Sequence, residues 1–152
     1  MKLALGVVLV CLFTFLGYVL SGKFTLRKSF YTNFYNFNNK LKQEINFRQT
    51  TLVSLLNDNE SNDFFCAIKN YIQNNKFDFN KSYLKRDEID FFYNYLKTIG
   101  SGDKDSQIEY LKEINSIVVE KKKQSIEDEK RYKTLYVKLG FLFGLIVLIL
   151  IL

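Results

Sequence analysis

Two uncharged apolar runs, one at each end of the chain, limit most strongly what it can fold into. Leu3 to Leu20 contains no charged residue, and its 18 residues would span ~27 Å as a helix, close to the hydrocarbon thickness of a bilayer. Leu139 to Leu152 is a second such run, and Lys138 can extend its side chain from it to the headgroups. The sequence therefore predicts an N-terminal transmembrane helix over residues 1–22 and a C-terminal one over 135–152.

Each run also has an alternative interpretation. The second run has only 14 residues, ~21 Å as a helix, which suits a buried core helix. Because it is apolar on all sides, a transmembrane segment is favoured. The first run resembles a signal peptide, with Lys2 as its positive region, but no A-x-A cleavage pattern occurs near Tyr18 to Gly22.

Basic residues cluster on the inner side of both runs, whereas only Lys2 and the α-amine precede the first. This asymmetry predicts a cytoplasmic middle domain over residues 23–134, with both termini across the membrane. It also predicts that the cations nearest the bilayer contact anionic lipid. These six residues are Lys23, Arg27, Lys28, Lys130, Arg131 and Lys133.

The middle of the chain has helical periodicity and no sustained two-residue alternation. Apolar residues from Leu26 to Ile45 recur every three or four positions, which predicts that the first span continues as a helix to Arg48. Thr50 or Thr51, Ser61, Asp87, and Asp103 or Asp105 are expected to begin further helices. Core faces are predicted for the last three of these helices. The helix from Ser61 has Phe64, Phe65, Ile68, Tyr71 and Ile72. The helix from Asp87 has Ile89, Phe92, Tyr93, Leu96 and Ile99, and the last helix has Ile108, Leu111, Ile114 and Val118.

The last helix is predicted to continue through a highly charged stretch, Glu120 to Arg131, into the second span. We expect this stretch to be solvated and supported by charge pairs one turn apart. The predicted fold is thus all-α: an antiparallel helical bundle or stalk between the two transmembrane helices, with the short aromatic helices as its head.

Composition gives no indication of catalytic chemistry. The chain has no histidine and two cysteines, and its loose Ser and Lys residues form no nucleophile motif. Its acidic residues lack metal-ligand spacing. The net charge of +6 is modest, and Lys121 to Lys123 is flanked by acids, which disfavours nucleic-acid binding. We therefore expect no enzyme, cofactor, metal or nucleic-acid partner.

Small residues recur at a spacing of four near the cytoplasmic end of each span. Gly17 and Ser21 form one such pair, and Gly140 and Gly144 the other. Small residues at this spacing allow helices to approach closely. We predict that the two spans pack together there.

Three motifs in register resemble stage III sporulation protein AB of endospore-forming bacteria. They are Glu44-Ile45-x-Phe47-x-x-Thr50-x-Leu52, then Leu96-x-x-Ile99-Gly100-x-x-Asp103-x-x-x-Gln107, then Leu139-Gly140-x-Leu142-x-Gly144-Leu145. The chain departs from the family pattern at Thr51, where proline is common.

The resemblance implies a role in the secretion-like, transenvelope channel complex between mother cell and forespore, formed around engulfment. The family's helical domain is similar to the cytoplasmic domain of the type II secretion inner-membrane platform protein. The chain would then be a non-enzymatic scaffold in the mother-cell membrane facing the forespore, linking the ATPase, stage III sporulation protein AA, to the channel components. We expect a partner surface at Glu44, Asp103, Asp105 and Gln107. The alternative is a membrane-tethered helical adaptor or sensor outside sporulation, which binds anionic lipid or a protein.

Overall fold

The structure, a computed structural model, describes residues 2–47, 63–74 and 83–151. Within these ranges the chain forms helices and no strand, so the all-α prediction is confirmed. The helices are α1 (Lys2–Phe47), α2 (Asp63–Asn74), α3 (Arg86–Thr98) and α4 (Lys104–Ile151). The predicted caps at Thr50, Thr51 and Ser61 lie outside the described residues.

Both terminal helices run unbroken from an apolar run into a polar sequence. Helix α1 has 46 residues and α4 has 48, far above the usual length in globular proteins. The chain contains no proline, and the helical glycines of α1 and α4 interrupt neither helix. The predicted continuation of both spans into polar helices is therefore confirmed.

The described chain divides into two compact units. Met1–Lys28 with Lys123–Leu152 form one, called here the hairpin unit, and Ser29–Lys122 form the other, called the bundle unit. The predicted division by membrane depth, at residues 22 and 135, stays a prediction.

The bundle unit has a core made largely of aromatic rings. Phe34 of α1 lies 4.7 Å, between ring centroids, from Tyr95 of α3. Phe30 lies 5.4 Å from Phe64 of α2 and 5.1 Å from Phe92 of α3. The edge-to-face angles of these contacts are those that aromatic quadrupoles favour. Helices α2 and α3 thus pack alongside α1 and cover its aromatic stripe. The sequence predicts them instead as the head of a two-helix stalk.

The buried face of α3 is rotated from the predicted one. Tyr93, predicted to be buried, is 39% exposed, whereas Tyr95 is fully buried. The buried stripe begins at Glu88, whose carboxylate accepts the backbone N–H of Lys85 at 3.0 Å. Because this hydrogen bond compensates the carboxylate, a charged residue can occupy a position that a hydrophobic pattern assigns to solvent. Ile72 of α2 is likewise 38% exposed, while Ala67 takes a core position.

One buried polar contact joins the two long helices inside the bundle unit. The side-chain amide of Asn38 on α1 donates to the carbonyl oxygen of Leu111 on α4 at 3.0 Å. The predicted core face of α4 is confirmed at Leu111, Ile114 and Val118, all of which are buried. The Asn38 hydrogen bond therefore favours one register of α1 against α4 in this unit.

Candidate membrane hairpin and capped turn

Helices α1 and α4 of the hairpin unit run antiparallel, and their backbones touch at glycines. An ideal Cβ on Gly17 would collide with the carbonyl oxygen of Tyr136 and lie 3.1 Å from its carbonyl carbon. A Cβ on Gly140 would collide in the same way with the carbonyl group of Phe13. No other residue type fits at either position without a shift of backbone atoms, because the atoms met are main-chain atoms.

The remaining predicted small residues extend this contact between α1 and α4, which is called here the glycine seam. A Cβ on Gly144 would lie 2.7 Å from the Cα of Val10. Ser21 is buried, and its hydroxyl donates to the carbonyl oxygen of Tyr18 at 2.6 Å, so its polar group is satisfied within its own helix. The structure thus brings Gly17, Gly140 and Gly144 to the contact between the spans and buries Ser21.

Large apolar side chains cover the outside of the hairpin unit. In the most apolar 18-residue stretch of α1 only 11% of the residues are buried, and in that of α4 only 6%. Both helices are long and apolar enough to cross a membrane, and their exposure favours membrane segments over a buried core helix. The exposed residues in this unit include Val7, Leu12, Phe15, Leu16, Val19, Leu20, Leu139, Phe141, Leu142, Phe143, Ile146, Ile149 and Leu150.

Two adjacent ion pairs connect α1 and α4 within the hairpin unit. Arg27 donates to the carboxylate of Asp128 at 2.6 Å, and Lys28 donates to that of Glu129 at 2.7 Å. The Lys28 hydrogen bond lowers the pKa of Glu129. Two of the six predicted lipid-contacting cations are therefore engaged by carboxylates of the same chain, in pairs between helices. Lys133, one turn after Glu129 on α4, adds a weaker attraction of the kind predicted within one helix.

Two aromatic rings lie beside the next cation, Lys23, which is exposed. Its ammonium lies 5.1 Å from the ring centroid of Phe24 and 5.5 Å from that of Tyr136. Phe24 in turn stacks on Tyr132 of α4 at 4.7 Å. An aromatic cluster beside a cation is typical of the level at which a membrane helix meets the headgroups.

The other three predicted cations differ in their surroundings. Lys133 has its ammonium 5.4 Å from the ring centroid of Tyr18 on the facing helix. Arg131 lies over the ring of its neighbour Tyr132 at 5.8 Å. Lys130 is exposed. Lys133 thus contacts a ring of the facing helix, whereas Arg131 contacts a ring of its own helix.

In the bundle unit, the side chain of Gln107 closes the turn between α3 and α4. It is 6% exposed, and its amide oxygen accepts the N–H of Gly100 at 3.1 Å. Its NH₂ group donates to the carbonyl oxygens of Thr98 and Ser101. Gly100 and Gly102 have φ angles of 83° and 95°, a region that favours glycine. Gln107, predicted as part of a partner surface, thus faces into the turn.

The two aspartates of this turn are exposed, and they differ in role. The Asp103 carboxylate accepts the backbone N–H and the hydroxyl of Ser106, and these hydrogen bonds lower its pKa. Asp103 is therefore the N-cap of α4, and Asp105 lies in the first turn, where its charge complements the helix dipole. Between them, Lys104 donates to the carbonyl oxygen of Asn46, near the end of α1.

The Glu44 side chain is half-buried on α1. Of the motif that begins there, Thr50 and Leu52 lie outside the described residues. No group of three or more His, Cys, Asp or Glu residues in the described part of the chain is arranged to hold a metal ion.

Comparison with known proteins identifies the family. The sequence profile of stage III sporulation protein AB matches residues 2–152. The chain belongs to the stage III sporulation protein AB family. Neither a curated protein nor a solved structure matches it.

Membership of the stage III sporulation protein AB family gives the chain a role in stage III of sporulation and involves it with the proteins of that stage. It favours this role over that of an adaptor outside sporulation. Together with two helices that can each cross a membrane, it is consistent with a membrane location. The similarity to the type II secretion platform protein stays a prediction.

The motifs that carried the resemblance have physical roles in the structure. In the second motif, Gly100 supplies a positive φ angle, Asp103 caps α4 and Gln107 closes the turn. In the third, Gly140 and Gly144 meet the backbone of α1. The pairing of Arg27 and Lys28 with Asp128 and Glu129 was not predicted from the sequence, although two neighbouring doublets of opposite charge on two predicted antiparallel helices indicated it.

Proposed function

We propose that the chain is a non-enzymatic membrane scaffold of the channel complex between mother cell and forespore. It sits in the mother-cell membrane with residues 23–134 in the cytoplasm and links the ATPase, stage III sporulation protein AA, to the membrane channel. Family membership supports the setting. The scaffold role is supported by one observation above all: a single chain supplies both helices of an antiparallel apolar hairpin.

The hairpin supports the proposed topology by a simple argument. Two spans that pack antiparallel and are joined by a polar domain leave that domain on one side of the bilayer. Basic residues follow the first span at Lys23, Arg27 and Lys28 and precede the second at Lys130, Arg131 and Lys133, and Lys138 lies in the first turn of the second span. An excess of Lys and Arg beside the spans favours the cytoplasmic side.

The buried polar groups of the bundle unit support a structural role. Glu88 and Gln107 are occupied with backbone groups at the ends of helices. Burial raises the pKa of the Tyr95 hydroxyl well above 10, so this group stays protonated at neutral pH and is no base. These arrangements position helices, which is what a scaffold requires.

The acidic turn is the proposed contact for the ATPase. Asp103 and Asp105 are exposed and lie on a turn that glycine and Gln107 hold in one shape. A rigid acidic surface suits a basic partner surface, since charge complementarity speeds association and selects partners. The half-buried Glu44 extends the proposed contact, whereas Gln107 supports it from within.

The test is capture of purified stage III sporulation protein AA by the full chain in nanodiscs. Asp105→Lys should weaken capture. Asp103→Asn removes the charge yet can still accept the Ser106 hydrogen bonds, so it separates charge from capping. Lys123→Glu, far along α4 in sequence and exposed, is the control and should leave capture unchanged. Equal capture by wild type and by the double variant Asp103→Asn with Asp105→Lys would reject this surface.

A further inference from the structure

An open groove runs along one face of the hairpin unit, between α1 and α4. Val10, Thr14 and Tyr18 form its α1 wall, and Val137 and Phe141 its α4 wall. A neighbouring hollow shares Thr14, Val137 and Phe141 and continues to Lys138 and Leu142. The groove has a volume of about 470 Å³, within the ~300–1,000 Å³ typical of ligand sites.

The middle of the groove offers apolar surface. Its walls there are formed by Val10, Val137 and Phe141, and the Thr14 hydroxyl donates to the carbonyl oxygen of Val10 at 2.8 Å, so it is engaged within α1. A polar occupant would lose its water without gaining partners there. The part of a ligand that enters the groove is therefore hydrocarbon.

The length of the groove distinguishes between hydrocarbon occupants. From Val10 to Tyr18 a helix rises ~12 Å, less than half of the ~30 Å hydrocarbon core. A transmembrane helix of another protein would need a surface along the whole span. An acyl chain occupies one leaflet only, so a groove of this length fits a lipid chain.

The side chain of Lys133 places a positive charge near the Tyr18 end of the groove. The Lys133 ammonium lies 5.4 Å from the ring centroid of Tyr18, and Lys133 precedes Val137 by one helical turn. Glu129, one turn further back, is hydrogen bonded to Lys28 and also attracts Lys133, so it offsets part of the positive charge there. Lys138 adds a second positive charge at the flank of the groove. An apolar groove with cations at its end and flank complements a lipid with a negatively charged headgroup.

We propose that this groove binds an acyl chain of one anionic phospholipid, with the headgroup phosphate held at Lys133. The site rests on the membrane-spanning hairpin of the proposed function and adds a specific lipid to it. A bound lipid would fill the groove beside the glycine seam and become part of the packed hairpin.

The experiment places the full chain in micelles that contain equal amounts of phosphatidylglycerol and phosphatidylcholine, then counts retained lipids by native mass spectrometry. Wild type should retain one phosphatidylglycerol in preference to phosphatidylcholine. Lys133→Gln should lower the affinity for phosphatidylglycerol about fivefold and leave that for phosphatidylcholine unchanged, since one basic side chain is neutralised. Lys123→Gln, which removes an exposed lysine of the same helix that is not among the six predicted lipid-contacting cations, is the control and should retain the preference.

A second variant tests the groove itself. Val137→Trp fills it and should reduce retention of both lipids, and circular dichroism checks that helix content is kept. Equal retention of the two lipids by wild type, or equal losses in Lys133→Gln and Lys123→Gln, would overturn the site. A second copy of the chain retained in place of lipid would show that the face is a protein interface and would also overturn it. If the chain inserts into bilayers without lipid preference, only this inference fails. If it does not insert, the proposed membrane scaffold fails with it.

Discussion

The guanidinium of Arg27 donates a hydrogen bond to the carboxylate of Asp128 at 2.6 Å, although 101 positions separate the two residues. Their side chains are 10% and 26% exposed. A charged hydrogen bond with this little solvent should contribute about 2 kcal/mol. We expect that coupling energy from a double-mutant cycle of Arg27→Met and Asp128→Asn, measured by unfolding the detergent-solubilised chain in SDS. The cycle isolates the pair from the other interactions of Arg27.

The neighbouring pair is the internal comparison. The Lys28 ammonium and the Glu129 carboxylate are 2.7 Å apart, nearly the same distance, but the Lys28 side chain is 41% exposed. The same cycle with Lys28→Met and Glu129→Gln should give about 0.5 kcal/mol, as for exposed ion pairs. Equal coupling in the two pairs would mean that exposure does not set their strength.

Substitution of two helical glycines by alanine should change the free energy of unfolding in opposite directions. In Gly140→Ala, the new Cβ meets the carbonyl group of Phe13, and we expect a loss of about 1–3 kcal/mol in helix-pair stability. In Gly22→Ala, the Cβ meets nothing within 4 Å, and the helix should gain roughly 0.5–1 kcal/mol. The SDS unfolding free energies of the two variants check this. A gain in both would show that the spans do not touch at Gly140.

The turn between α3 and α4 should depend on the Gln107 amide. Gln107→Leu leaves the Gly100 N–H without its acceptor, and we expect a loss of about 1–3 kcal/mol in the free energy of unfolding. Gln73→Leu, at an exposed position of α2, should change it by less than about 0.5 kcal/mol. Thermal unfolding followed by circular dichroism gives both values. A similar loss of unfolding free energy in the two variants would contradict the role of Gln107 in closing the turn.

Two carboxylates should titrate below their ordinary values because of different partners. The pKa of Glu129 is lowered by Lys28, and that of Asp103 by Ser106. Because both pKa values are depressed in the folded chain, the resulting stability is complete above the ordinary values of 4.5 and 3.8 and is lost as pH falls through the lower folded values. Lys28→Met should raise only the pKa of Glu129, and Ser106→Ala only that of Asp103, as followed by NMR titration. A change in both carboxylates with either variant would contradict these assignments.

The helices could be predicted because their signals are local. Periodicity and apolar length gave the course of α1 and α4, and Gly100 marked the turn that ends α3. The sequence left Asp103 and Asp105 as alternative caps. The structure selects Asp103, since its carboxylate reaches the N–H of Ser106.

The contacts between distant segments could not be derived from local patterns. The stripe of α3 includes Glu88 because a backbone hydrogen bond compensates its charge, so Tyr95 turns inward and Tyr93 outward. The placement of α2 and α3 beside Phe30 and Phe34 depends on aromatic contacts across the chain. The pairing of Arg27 with Asp128 likewise depends on the register of α1 against α4.

The central claim is that the two apolar helices hold the middle of the chain on the cytoplasmic side of one membrane. Labelling with a membrane-impermeant maleimide tests it most directly, in intact and permeabilised non-sporulating cells that express the chain, because the far side of the membrane then faces the medium and the exposed Cys66 lies in the bundle unit. In a Cys11→Ser background, Cys66 should react only after permeabilisation, while a cysteine introduced as Lys2→Cys should react in intact cells. Reaction of Cys66 in intact cells, or recovery of the chain in the soluble fraction, would contradict the account.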